Sequence, residues 1–209
     1  MSNSPRYLHR YIDLTELLDI LKNKRVVLRD PRSWEDKNDY FLLEQYAESK
    51  NFENIFLSCF TTEMDKYHFW KIYANKPSGV CIQFLSSGIT EAISNDLDPL
   101  SFSLKEVQYR TLKDVSQNQV DIEEYPFIKR MAFMAEKEFR LFYATNNKIP
   151  YRALAIDLSC INEIVLSPYL RAEYVSDIKQ LISQQSGLSC KVRKSTILQS
   201  ASWQLQMTY

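Results

Sequence analysis

The chain has 209 residues, 45% hydrophobic and 25% charged, with 26 basic residues against 26 acidic ones. A chain of this size buries a core without a disulfide or metal staple, and its balanced charge gives no global field toward nucleic acid or a membrane surface. No apolar run reaches the roughly 20 residues that a spanning helix needs. The start, Met1-Ser2-Asn3-Ser4-Pro5, has no basic-then-apolar signal pattern, so the expected compartment is the cytoplasm. The expectation is one domain over residues 1–209, with its core at about 6–197 and an irregular tail at 198–209. The oligomeric state stays open.

In chain order, Arg6 to Ile12 is aromatic and β-branched and predicts a strand. Asp13, with Glu16 three residues on, predicts the cap of a helix whose apolar face is Leu14, Leu17, Leu18 and Leu21. Val26 to Leu28 is a short strand, and Arg29 to Asp36 a polar loop around Trp34. Leu42 to Ser49 predicts a helix, Ile55 to Thr61 a buried strand, Lys66 to Ala74 a helix and Val80 to Leu85 another buried strand. Ile89 to Ile93 is a short helix, and Phe102 to Tyr109 a strand. Asp114 to Glu124 is polar and predicts a loop. Pro126 opens a helix to about Ala135. Phe139 to Ala144, Tyr151 to Asp157 and Ile161 to Leu166 predict strands, Ala172 to Gln185 an amphipathic helix, and Cys190 to Ile197 a last strand. Strands and helices alternate without regular βαβ spacing. The fold class is therefore α+β, a mixed or mainly antiparallel sheet with surrounding helices.

Glycine and cysteine exclude several chemistries. Three glycines, Gly79, Gly88 and Gly187, cannot build a Gly-rich phosphate loop. Gly79 is expected to supply a turn with positive φ. Cys59, Cys81, Cys160 and Cys190 are far apart in apolar surroundings and read as reduced core residues. With only His9 and His68 beside them, they do not form a zinc pattern, and no metal site is expected. Asp30, Glu35, Asp36 and Asp39 form an acidic loop that reads as solvated or paired with Arg29 and Arg32. Lys191, Arg193 and Lys194 make a small basic face, too little for a strong nucleic-acid signal.

Two constellations carry candidate chemistry. Glu136, Glu138 and Arg140 alternate, which at strand spacing puts all three on one face. Such a row is either an Arg140 fork satisfied by a carboxylate or a polar site in which a glutamate acts on a sugar. Trp70 and Tyr73, three apart on a helix, are either a core pair or an aromatic wall for a planar or protein ligand.

Four blocks resemble the bacterial domain-of-unknown-function family 2971. They are Asp30-Pro31-Arg32-Ser33-Trp34-Glu35-Asp36 behind the first strand and helix, Leu57-Ser58-Cys59-Phe60-Thr61, Trp70-Lys71-Ile72-Tyr73-Ala74 with Gly79-Val80-Cys81-Ile82-Gln83-Phe84, and Lys129 to Arg140 through Phe133, Glu136 and Glu138. Trp34 stands where that family has Phe, and Phe133 where it has Trp. The order of elements is also similar to the ADP-ribosyltransferase fold. That likeness implies NAD as a substrate, Glu138 as the catalytic acid, Glu136 orienting an acceptor, and Arg140 beside them. It further implies Arg10 or His9 gripping the dinucleotide, Ser58 shaping the pocket and Tyr7, Tyr11 or Tyr73 stacking on nicotinamide. The second motif departs from the usual Ser-x-Thr-Ser, being Ser58-Cys59-Phe60-Thr61 here. The resulting expectation is a transferase or NAD glycohydrolase in a toxin or phage-defence setting. Its rival is a non-enzymatic module that binds a small molecule or protein over Trp70 and Tyr73.

Overall fold

The computed structural model describes residues 5–74, 76–184 and 188–207. Met1–Ser4, the Gln185 end of the expected helix, Gly187 and the Tyr209 end of the tail lie outside them. The elements are β1 (Tyr7–Asp13), α1 (Leu14–Asn23), β2 (Arg25–Leu28), α2 (Lys37–Lys50), β3 (Asn54–Thr61), α3 (Tyr67–Ile72), β4 (Gly79–Leu85), α4 (Ser86–Ser94), β5 (Phe102–Glu106) and β6 (Gln108–Arg110). There follow α5 (Leu112–Gln117), β7 (Ile128–Arg130), β8 (Glu138–Thr145), β9 (Arg152–Ala155), β10 (Ile161–Leu166), α6 (Val175–Ser183), β11 (Lys191–Lys194) and α7 (Ala201–Gln206). No described helix is long and apolar enough to cross a membrane.

The described residues divide into two compact units. The first draws on Met1–Lys24, Glu63–Gly88 and Asp157–Tyr209, the second on Arg25–Thr62 and Ile89–Ile156. The fold is α+β. Within the units five strand pairings are antiparallel and two are parallel.

The first unit holds a sheet in the order β11-β10-β4-β1. β4 has neighbours on both sides and is buried from Gly79 to Phe84, which is why it reads as a largely apolar run, interrupted only by Gln83. Asp13 accepts from the Glu16 N–H at 2.8 Å and starts α1, which buries Leu17, Ile20 and Leu21. Gly79 is needed for close approach, not for a positive φ: a Cβ there would lie 2.7 Å from the Ala74 Cβ. Gly88 is tighter still, with the Cys160 Cβ at 2.3 Å. The tail read as irregular contains α7, capped by Ser200.

The second unit has a sheet in the order β3-β8-β5, with β2–β9 and β6–β7 as separate pairs. α2 lays Leu43 on Ile55, Leu57, Phe127, Phe142 and Ala144. Three expectations change here. The strand over 102–109 is two, β5 and β6, broken at Val107, whose N–H donates to the Glu138 carbonyl at 2.9 Å. The polar stretch after Arg110 is not all loop, because Thr111 and Asp114 form a capping box that starts α5. No α-helix follows Pro126. A 3-10 turn (Ile122–Phe127), β7 and a second 3-10 turn (Met131–Glu136) replace it. The Pro126 carbonyl accepts from Arg140 Nη1 at 3.0 Å and is turned away from the bond a helix would make.

Candidate active site

The site is built on β8 of the second unit. Across β3, Cys59 is the register partner of Arg140 and Thr61 of Glu138, while Ser58 is opposite Leu141. Opposed residues share a face and neighbours alternate. Glu138, Arg140, Cys59 and Thr61 therefore line one side of the sheet and Ser58 the other. Glu138 and Ser58 do not converge.

Arg140 is fully buried and donates five hydrogen bonds. Its Nε reaches Glu138 Oε1 at 2.7 Å, and Nη2 reaches Glu138 Oε2 at 3.2 Å. Its two terminal nitrogens reach the Asp39 carboxylate at 2.8 and 2.5 Å, and the fifth bond goes to Pro126. Trp34 lies 5.6 Å from the guanidinium, ring face toward it. Lys129 closes the cluster, donating to Glu136 at 2.6 Å and Glu138 at 3.2 Å and standing 3.8 Å from Asp39. Phe133 covers its ammonium, 4.8 Å from the ring centroid.

The alternation expected for Glu136, Glu138 and Arg140 holds only for the last two. Glu136 ends the second 3-10 turn, and Lys137 then takes a left-handed conformation (φ 42°) before β8 begins. Glu136 joins the cluster through Lys129. Asp39, read as one acid of a solvated loop, is buried and is a principal partner of Arg140, 101 residues away. Two other acids of that loop are used locally: Asp30 forks Arg32, and Asp36 caps α2.

The two carboxylates on Arg140 are pushed in opposite directions. Burial alone would raise Glu138, but Arg140 and Lys129 outweigh it and hold its pKa at about 2. Burial raises Asp39, and its attraction to Arg140 does not compensate. Burial also pushes Tyr109 up to about 12; its hydroxyl accepts from the Glu138 N–H at 2.9 Å. Cys59, expected in the core, is exposed, while Cys81 and Cys160 are buried and Cys190 half-buried. Crowding by the surrounding chain and the Glu138 charge push the Cys59 thiol well up.

The remaining candidates belong to the first unit. On β1, His9 and Tyr11 share a face and Arg10 takes the other. Arg10 pairs with Glu16 at 2.5 Å, both nearly buried. His9 is buried, with Gln83 Nε2 2.9 Å from its Nε2; Gln83 in turn accepts from Asn162. Tyr11 packs edge-on to Phe69 and Trp70, each at 5.2 Å, and accepts from the Lys66 N–H. Trp70 is fully buried and donates from Nε1 to Asp65 at 2.9 Å, while Tyr73 is 46% exposed. The two do not form one aromatic wall: Trp70 is a core residue packed with Ala74, Cys81 and Val165. Much of the basic face at β11 is ion-paired, with Arg193 bonded to Glu163 and Asp65 and exposed Lys191 near Glu163.

No family model matches the chain, so the resemblance to family 2971 rests on its four sequence blocks alone. A search of the curated proteins gives no match either. Among solved structures the chain is similar to DarT of Thermus sp. 2.9. In complex with NAD+ that protein is 12% identical, at a TM-score of 0.46, over 93% of this chain and 98% of the other. In complex with ADP-ribosylated ssDNA it is 11% identical, at a TM-score of 0.47, over 91% and 94%. Scores of this size leave the site to be read from the chain's own residues.

Proposed function

We propose that the chain consumes NAD+, as an ADP-ribosyltransferase or NAD glycohydrolase, with Glu138 as the carboxylate at the reacting ribose. The observation that carries this reading is the geometry of two buried carboxylates on one arginine, Glu138 fixed by Arg140 and Lys129 and Asp39 on the far side, with the two acids displaced in opposite directions. Environments that drive neighbouring acids apart assign them different tasks. Glu138 is the committed anion, at about 2, beside an exposed thiol. Asp39 keeps Arg140 neutralised from its far side. In the reaction the bond between nicotinamide nitrogen and ribose C1′ breaks, and its electron pair leaves with nicotinamide. Positive charge then develops on the ribose, where a fixed carboxylate stabilises it. Water or an acceptor hydroxyl adds to C1′ and gives up its proton. Loss of a fixed electrostatic partner at such a centre typically costs about 10²–10³ in turnover. Depletion or transfer of this kind suits a toxin or defence effector.

A second reading is favoured by one specific fact: both Glu138 oxygens already accept bonds, from Arg140 and Lys129. On that reading the cluster is structural and the chain is a binding module. Nicotinamide release by the purified chain, beside Glu138→Gln, decides between them. Turnover by wild type, lost in the variant at a temperature where its circular dichroism is still native, supports the enzyme. No release, with a lowered melting temperature in the variant, supports the binding module.

A further inference from the structure

The second unit carries an open groove of about 850 Å³ between the start of α2, α5 and the β6–β7 pair. That volume falls in the range of small-ligand sites, roughly 300–1,000 Å³. Its wall has two kinds of surface. Phe41, Leu112 and Val115 offer apolar area and are 54%, 77% and 43% exposed. Lys37, Arg110, Lys129 and Arg130 supply positive charge, and no Asp or Glu lines the groove.

Two of these cations are committed elsewhere. Lys37 donates to the Trp34 carbonyl at 2.8 Å, and Lys129 is held by Glu136 and Glu138. The arginines are different. Arg110 and Arg130 are register partners across the parallel β6–β7 pair, so their side chains leave the ladder side by side. Like charges opposed on neighbouring strands destabilise a sheet. Arg130 makes no ion pair among the described residues, and the ion pair of Arg110 is a long one, 3.9 Å to exposed Glu124.

We propose that this groove binds a nucleoside diphosphate or an organic phosphate of similar size. Its phosphates would be forked by Arg110 and Arg130, and its base would lie on Phe41, Leu112 and Val115. Guanidinium matches phosphate in shape as well as charge, through paired N–H donors. A diphosphate carries enough charge to satisfy both arginines, which one carboxylate does not. The balanced net charge of the chain and the small extent of the groove fit a small ligand better than a track for a nucleic-acid strand. This inference does not depend on NAD+ cleavage, because the probe contains no nicotinamide bond.

The test is calorimetric titration of the full chain with ADP, adenosine and a ten-residue oligothymidylate, repeated on Arg130→Ala and on Arg110→Ala/Arg130→Ala, with Lys148→Ala as a charge control. The expected result is ADP binding at least about tenfold tighter than adenosine. It should survive in Lys148→Ala, weaken about tenfold in Arg130→Ala and vanish in the double variant. Melting temperatures should stay level or rise, since removing one arginine relieves the like-charge pair. Absence of ADP binding, equal affinity for ADP and adenosine, or full ADP affinity in the double variant would each overturn the proposal. Tighter, arginine-dependent binding of the oligothymidylate would overturn it in favour of a nucleic-acid partner. ADP binding is read without nicotinamide release, so arginine-dependent ADP binding in a chain that releases no nicotinamide, or its absence in one that does, separates failure here from failure of the NAD+ reading.

Discussion

Replacing Arg140 by Met tests the cluster directly. Methionine keeps most of the volume and removes all five hydrogen bonds. It strands two carboxylates whose side chains are only 5% and 1% exposed. Breaking a buried pair from one side costs about 3–5 kcal/mol. For a chain of this length each kcal/mol moves the melting temperature by about 2–4 °C, so the expected drop is about 6–20 °C at pH 7. The pH dependence sharpens the test. In the wild type Glu138 sits at about 2, below its ordinary 4.5. Its contribution is therefore complete above 4.5 and is lost as pH falls toward 2, about 3 kcal/mol across that window. In Arg140→Met the burial of Glu138 and Asp39 is no longer offset by the guanidinium, so both carboxyls move up. An acid with a raised folded pKa favours the fold at low pH, so between pH 7 and 4.5 the variant, with both carboxyls raised, should gain more stability than the wild type, in which of the two only Asp39 is raised. Circular dichroism melts across that range read both effects. A variant that melts within about 3 °C of wild type at pH 7, with the same pH profile, would falsify the cluster as the anchor of β8.

Two other consequences are measurable. Gly88→Ala should destabilise by about 1–3 kcal/mol despite the better helix propensity of alanine, because its methyl meets the Cys160 Cβ; Cys160→Gly in that background should restore much of the loss, and a level melt would show that α4 shifts at no cost. Cys59, although exposed, should react slowly with a disulfide reagent at pH 8, since its thiol is pushed up by crowding and by Glu138; Glu138→Gln should speed that reaction several-fold, and an unchanged rate would remove Glu138 from the surroundings of the thiol.

Most of the fold was legible because its signals are local. Asp13 with Glu16 marked α1, and short apolar-rich runs marked β3, β4 and β10. Segments whose conformation is set by distant partners were not. Pro126 reads as a helix opener, yet its carbonyl is claimed by an arginine on β8. Trp70 and Tyr73 share a spacing, but α3 ends at Ile72 and leaves Tyr73 outside the buried face. The site was half visible. Alternation on β8 brought Glu138 and Arg140 together, but nothing local says which further acid completes the fork. Asp39 carries a local signal of its own. Asp36 caps α2 and places Asp39 third in the helix, four before buried Leu43 and hence on the inward face. A helix begun at Leu42 hides that relation.

The same displacement of acids that supports catalysis by Glu138 also constrains its pH profile. A glutamate at its ordinary 4.5 would give nicotinamide release an acid limb there, as carboxylate is lost. Glu138 at about 2 produces no limb at 4.5. Asp39 titrates first on acidification, because its pKa is raised above 3.8. Its protonation leaves the whole Arg140 fork to Glu138 and draws that carboxylate away from a developing positive charge. Any acid limb above 4 is thus expected to belong to Asp39 and to disappear in Asp39→Asn, with the remaining activity flat toward lower pH. A limb near 4.5 that persists in Asp39→Asn means that Glu138 titrates as an ordinary glutamate. The division of labour between the two acids then fails, and with it the observation on which the NAD+ reading stands.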